Sequence, residues 1–170
     1  MSIHCGLHVA QGIGRLIAFE FARRGARLIL WDLDGALLDQ TALELRSKFP
    51  AVSLRTYVCD LSKRDQIYAT ARQVQAADGH PDVVVNNAGV VSGTLFLDTA
   101  DAKNELTFQV NVMAHLWMAK AFLPKMVERN SGNFASVSSI ASFVAAPGMV
   151  RSLDLVGCRS FGPCRESWAG

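Results

Sequence analysis

Apolar residues gather along the chain in short blocks whose spacing switches between about two residues and about three to four, so strands and helices are predicted in turn. Residues 2–9, Ser-Ile-His-Cys-Gly-Leu-His-Val, stand where a first strand belongs, yet two histidines and an internal glycine make them a poor one. Gln11-Gly12-Ile13-Gly14-Arg15 leads into a helix over 16–24, with Ile17 and Phe21 on one face and Gly25 as its stop. A second strand over 27–32 ends in the carboxylate of Asp32. The helix predicted over 35–48 carries Leu38, Ala42 and Leu45, and Pro50 closes it. Alternation over 53–58 predicts a third strand, which delivers Cys59-Asp60-Leu61-Ser62, with Ser62 placed to cap a helix over 63–77.

Val83, Val84 and Val85 form a fourth strand, read as fully buried, that runs into Asn86-Asn87-Ala88-Gly89-Val90-Val91. After a loop over 92–100, a long helix is predicted over 102–129. Its apolar face is traced by Leu106, Val110, Ala114, Trp117 and Ala121, and Pro124 predicts a kink or a break. Asn130-Ser131-Gly132 turns the chain into a fifth strand over 133–139. Strands alternating with helices make this an α/β chain, a doubly wound parallel sheet with right-handed crossovers.

The 170 residues suit one domain with a substantial core. A net charge of +2 gives no electrostatic case for nucleic acid or a membrane surface, so function is expected from a site. Cys5, Cys59, Cys158 and Cys164 show no Cys-x-x-Cys spacing, and reduced thiols are expected. His4, Cys5 and His8 lack a complementary ligand pair, so no metal is predicted. With no leader pattern and no apolar run of bilayer length, a soluble, cytoplasmic product is expected.

Polar amides and a glycine at the end of a buried parallel strand fall where an open α/β sheet faces a ligand crevice. An ordinary Asn/Gly turn is the competing reading. Gly12-x-Gly14 at a helix opening lets backbone N–H groups approach a pyrophosphate, although packing alone also places glycines there. Asp32 follows Gly14 by eighteen residues, the separation at which a carboxylate reaches the ribose hydroxyls of a dinucleotide. For Asp60, the competing reading is a helix-start carboxylate favoured by the dipole.

Asn86-Asn87-Ala88-Gly89 after an apolar strand resembles the signature of the short-chain dehydrogenase/reductases, and the resemblance runs from about Gly12 to Val150. It implies a Rossmann-like dinucleotide-binding domain over 1–150 and an NAD cofactor, NADP being disfavoured by Asp32 followed by Leu33. By the same resemblance Gly12, Ile13 and Gly14 hold the pyrophosphate, Asp60 and Leu61 lie along the adenine, and Asn87, Ala88 and Gly89 support the loop beneath the ribose. The family's Thr-Gly-x-x-x-Gly-x-Gly places its first two positions on Leu7 and His8, so the glycine of the tight turn is missing.

Members of the family use a tyrosine, a lysine four residues later, a serine and an asparagine to move a proton to and from the substrate oxygen. Asn111 and Ser139 match the last two. The tyrosine position falls on Ser152 and the lysine position on Val156, while Tyr57 and Tyr68 lie elsewhere in the pattern. A serine hydroxyl is far less acidic than a phenol, whose pKa is about 10, so proton transfer is expected to be severely impaired. Residues 151–170 form a divergent tail without helical or strand periodicity. An alternative exon or a shifted frame after Val150 would give such a tail and leave the sheet incomplete, without its last strands.

Residues 111–124 resemble the retinol and steroid dehydrogenase branch, which implies a small-molecule alcohol or ketone as partner. Many members of that branch carry an N-terminal membrane anchor, which is not expected here. The resemblance therefore implies an oxidoreductase that is inactive as it stands. Two readings compete with it: a catalytically silent variant that binds dinucleotide or forms a homo-oligomer through the long helix, and a truncated product without function.

Overall fold

The computed structural model describes residues 2–6, 12–91 and 98–138. Strands β1 (Ser2–Gly6), β2 (Arg27–Asp32), β3 (Leu54–Val58), β4 (Val83–Asn86) and β5 (Asn133–Ser136) form one sheet in the order β3-β2-β1-β4-β5. Every neighbouring pair is parallel. Parallel neighbours require crossovers, supplied by helices α1 (Gly12–Arg23), α2 (Gly35–Lys48), α3 (Arg64–Asp78), α4 (Asp101–Phe108) and α5 (Ala114–Glu128). This is the Rossmann-like, doubly wound parallel sheet expected, with five strands among the described residues.

β1 corrects the reading of residues 2–9 as a poor strand. It lies at the centre of the sheet, with His4 in register with Ile29 on one side and Val84 on the other. Two flanking ladders satisfy its backbone on both edges, which outweighs weak intrinsic propensity.

Alternation along β2 divides the core between the two faces of the sheet. Leu28 and Leu30 join Ala18 and Ala22 of α1 and Leu38, Ala42 and Leu45 of α2. Ile29 and Trp31 face the other way, onto Ile67, Ala71 and Val74 of α3 and Ala114, Met118 and Phe122 of α5. In α1 the buried stripe is Gly14, Ala18 and Ala22, while Ile17 and Phe21, expected to face the core, are half-buried at its margin. The small stripe lets the helix lie close to the sheet, a packing demand that hydrophobic spacing alone does not reveal.

The helix expected over 102–129 contains a π-helical turn, Gln109–Met113, between α4 and α5. The Ala114 N–H donates to the Gln109 carbonyl, five residues back. Such a turn holds one residue more than an α-turn and rotates everything after it. The buried stripe therefore passes from Val110 and Ala114 to His115, Met118, Phe122 and Met126, and the predicted Trp117 and Ala121 are only partly buried. Leu106, also predicted on the apolar face, is exposed. Pro124 does not break α5, which continues to Glu128. One turn before the proline's missing N–H, the Gln75 side chain donates to the Ala121 carbonyl at 3.0 Å and ties α5 to α3.

Two ends differ in detail from expectation. Ser62 does not cap α3; Lys63 stands at the cap without a side-chain bond, and Ser62 instead turns its hydroxyl back to Asp60. α2 is capped by Asp34, whose carboxylate accepts from the Leu37 N–H at 3.0 Å. Ser139, the end of the strand expected over 133–139, lies outside the described residues, and β5 itself closes at Ser136.

Gly132, in the turn before β5, has φ +145°, and a Cβ added there would stand 2.6 Å from Met126 Cγ, whose side chain is buried. Gly132→Ala is expected to lose about 1–3 kcal/mol through combined backbone strain and overpacking. Urea unfolding at neutral pH checks this; an unchanged midpoint refutes it.

Candidate functional site

Because all five strands run the same way, their carboxyl ends share one edge, and the strand order reverses on either side of β1. An open parallel sheet has its crevice at that reversal. α1 begins beside it at Gly12, which has φ +58° and, among the described residues, no atom of another element within 4 Å of where a Cβ would stand. Ile13 is exposed and Gly14 is buried against the sheet. The first turn of the helix offers backbone N–H groups that have no partner within the helix itself.

On the β2 side, Asp32 is 3% exposed, and its Oδ1 accepts from the Asp34 N–H at 3.1 Å. The Cys59 N–H donates to the Asp32 carbonyl at 2.9 Å, so the ends of β2 and β3 are joined past the last ladder pair. Asp60 Oδ1 accepts from the Ser62 N–H at 2.9 Å and from the Ser62 hydroxyl at 2.7 Å, while the Asp60 N–H donates to Gln66 Oε1. The carboxylate is held by its own turn and is not a helix cap.

Leu61, expected along the adenine, is buried in the core beneath the sheet. At the ends of β2 and β3 two apolar side chains are exposed instead, Leu33 at 58% and Val58 at 64%. Val58 is in register with Asp32, and its Cγ2 lies 3.1 Å from where a Cβ on Gly35 would stand. Sequence reasoning missed this apolar shelf. Its signal was two aliphatic residues at strand ends, where a turn ordinarily places polar ones. Beneath the shelf the Cys59 thiol is pushed up by burial, against a hydrogen bond with Thr70, and it stays protonated.

On the β4 side, Asn86 is fully buried, and among the described residues neither atom of its side-chain amide has a partner. Its carbonyl accepts from the Val137 N–H at 2.7 Å, extending the β4–β5 ladder. The segment that follows is pinned from the helical layer. Asn111, in the π-helical turn, accepts from the Val90 N–H through Oδ1 at 2.8 Å and donates to the Val90 carbonyl through Nδ2 at 3.0 Å. One turn later, His115 Nε2 lies 3.2 Å from the Ala88 carbonyl. A carbonyl only accepts, so Nε2 carries the proton. Burial pushes the His115 pKa below its ordinary value, more than the bond to Ala88 raises it. Ala88 is buried, Asn87 half-buried and Gly89 exposed, so the pinned segment shows its glycine to the crevice.

Of the residues singled out in the sequence, Gly12, Ile13, Asp32, Asp60, Asn87, Ala88 and Gly89 are thus placed at or beside one edge. Gly14 and Leu61 turn inward, and Asn111 reaches the edge through its side chain. Ser139 lies outside the described residues. His115 was missed; four residues after Asn111, it is a polar residue on an otherwise apolar face. Among the described residues no group of His, Cys, Asp or Glu forms a metal site, and no helix is long and apolar enough to cross a membrane.

A family model described as short chain dehydrogenase matches residues 8–151. Epidermal retinol dehydrogenase 2 of Mus musculus is 43% identical over 139 residues, covering 82% of this chain and 45% of that protein. Estradiol 17-beta-dehydrogenase 11 of Homo sapiens is 43% identical over 137 residues, covering 81% of this chain and 45% of that protein. The chain therefore spans under half the length of these curated relatives. Among solved structures, a metagenomic short-chain oxidoreductase in complex with NADP superposes with a TM-score of 0.83 at 30% identity, covering 90% of this chain and 69% of that one. L-sorbose reductase from Gluconobacter frateurii, complexed with NADPH and L-sorbose, gives 0.81 at 26% identity, covering 89% and 57%.

The depressed His115 pKa has a signed consequence for stability. Below the unfolded value near 6.5 the unfolded chain takes up a proton that the folded chain refuses. The stabilising contribution is therefore complete above that pH and declines as pH falls through it. His115→Gln is expected to flatten this decline, seen as a smaller drop in urea midpoint between about pH 7.5 and about pH 5.5. An equal drop in both proteins refutes it.

Proposed function

The chain belongs to the short-chain dehydrogenase family, and from that premise we propose that it binds NAD and derives from an oxidoreductase moving hydride between the nicotinamide and an alcohol or ketone. The observation that carries this reading is the convergence at one switch-point edge of a glycine-started helix, the Asp32 carboxylate and the pinned segment ending β4. A helix opened by a positive-φ glycine presents its first-turn N–H groups to an anion, which supports a pyrophosphate held by those of Gly12, Ile13 and Gly14. Asp32 takes the adenosine ribose, and its charge repels a 2′-phosphate, which favours NAD over NADP. Adenine lies on Leu33 and Val58, with Asp60 and the Leu61 backbone at its edge. Asn87, Ala88 and Gly89 support the second ribose, and Asn111 holds that segment in place. Bound there, NAD supplies a hydride acceptor.

Ser139 and Asn111 are the residues we assign to the substrate oxygen and its proton relay. No phenol stands at the next required position, where Ser152 falls, and Val156 replaces the ammonium that would acidify it. Proton transfer is therefore impaired in this chain, with residues 1–150 forming the dinucleotide-binding domain and 151–170 a divergent tail. The similarity to a retinol and an estradiol dehydrogenase supports a lipophilic alcohol as the ancestral substrate. A second reading, a silent variant that self-associates, draws on Leu106, Leu116 and Val127, exposed apolar residues along α4 and α5.

The chain is expected to bind NADH and to give no retinol-dependent NADH formation. A hybrid carrying the residues of Epidermal retinol dehydrogenase 2 after Val150 is expected to turn over. Turnover by the unmodified chain overturns the impairment, and no NADH binding by either overturns the site. Asp32→Asn keeps the acceptor for the Asp34 N–H and removes the charge. Discrimination against NADPH is then expected to shrink about tenfold in fluorescence titration, whereas equal losses for both dinucleotides refute the role of Asp32.

A further inference from the structure

α5 lays a buried stripe along the sheet through His115, Met118, Phe122 and Met126. Packing alone calls for an aliphatic side chain at the first of these positions. An imidazole there must be desolvated, at a cost that only a hydrogen bond offsets. Its one hydrogen bond among the described residues is to the Ala88 carbonyl, since Nδ1 has no partner. That bond fixes the ring and the peptide it holds.

The π-helical turn places Asn111 and His115 on the same side of the helical layer, where they grip the β4 extension two residues apart. Asn111 takes both backbone groups of Val90, and His115 takes the carbonyl of Ala88. Gly89 lies between the two pinned residues and is exposed. With its neighbours held, its position over the crevice is set from beneath. The segment lies across the switch point from Asp32 and Asp60, on the half that would receive the nicotinamide riboside.

We propose that His115 is a positioning residue for the nicotinamide half of the dinucleotide site, holding the Ala88 carbonyl so that the Ala88–Gly89 peptide meets the ligand at a fixed height. The proposal rests on the dinucleotide-binding reading above. Burial keeps the ring neutral, so the same tautomer donates throughout the neutral pH range. The adenosine half, held by β2 and β3, does not depend on this contact.

ADP and NADH separate the two halves, because ADP carries the adenosine and the pyrophosphate without the nicotinamide riboside. In the full chain, His115→Leu is expected to weaken NADH binding about tenfold by fluorescence titration while leaving ADP binding by calorimetry within about twofold. His115→Gln, whose amide nitrogen reaches about as far as Nε2, is expected to recover most of the NADH affinity. Parallel loss of ADP and NADH binding, unchanged NADH binding in His115→Leu, or no recovery in His115→Gln overturns the proposal. Should His115→Leu fail to unfold cooperatively, His115→Asn, too short to reach the carbonyl, replaces it under the same criteria. If the unsubstituted chain binds neither ADP nor NADH, the dinucleotide reading fails first, and the role of His115 falls with it.

Discussion

A parallel strand cannot pair with its predecessor until the chain has crossed back over one face of the sheet, and most of this structure follows from that requirement. The crossovers cover both faces, so β2 is buried on either side and its alternate residues feed two separate cores. The same requirement brings every strand end to a common edge. Polar groups there, side-chain and backbone alike, stand at the rim of an apolar slab, where they need partners of their own. Asp32 finds the Asp34 N–H, Asp60 its own turn, Val90 the amide of Asn111 and Ala88 the ring of His115. The rim is consequently a set of short, locally closed hydrogen-bond systems, rigid enough to present backbone to a ligand.

At the opposite end of the sheet the charges are arranged differently. The Asp78 carboxylate, 3% exposed, faces Arg55 Nε at 3.1 Å and Arg27 at 3.7 Å, and the Tyr57 hydroxyl donates to it at 3.3 Å. Arg129 ties the end of α5 to the segment entering β4 through the carbonyls of His80 and Pro81 and through Asp82. Cations thus compensate the buried or carbonyl-rich end, while at the ligand end Asp32 and Asp60 are met by hydrogen bonds from their own turns. That division suits a ligand whose charge is met by N–H groups and whose hydroxyls are met by Asp32.

Much of this could be read from the residues, because strand ends are marked by chemistry as well as by spacing. Asp32 after four apolar residues and Asn86-Asn87-Ala88-Gly89 after three valines announced the edge. What escaped was geometry that depends on neighbours. β1 looks weak until its two ladders are counted, and α1 hides its contact face behind Gly14, Ala18 and Ala22, whose small size is the point. The buried stripe beyond Ala114 was displaced by one residue, since hydrophobic spacing assumes an unbroken α-helical period. Leu61 was assigned to the ligand by resemblance, although its side chain belongs to the core. His115 carried a legible signal, a ring nitrogen on an apolar face, but the carbonyl that explains it lies twenty-seven residues away.

The surplus residue in the π-helical turn gives this helical layer an unusual evolutionary grain. Substitutions can drift in one at a time along α5 without disturbing the phase between Asn111 and the stripe below it. A codon lost between Gln109 and Met113 would restore a regular helix and leave everything downstream in phase, because the surplus residue goes together with the extra turn of about 100° that absorbs it, and Met118 and Phe122 would keep facing the core. A codon lost within the regular turns of α5 would instead swing the stripe beyond it away from the sheet, so lineages that keep this layer are expected to change in length at the π-helical turn before they do so along α5.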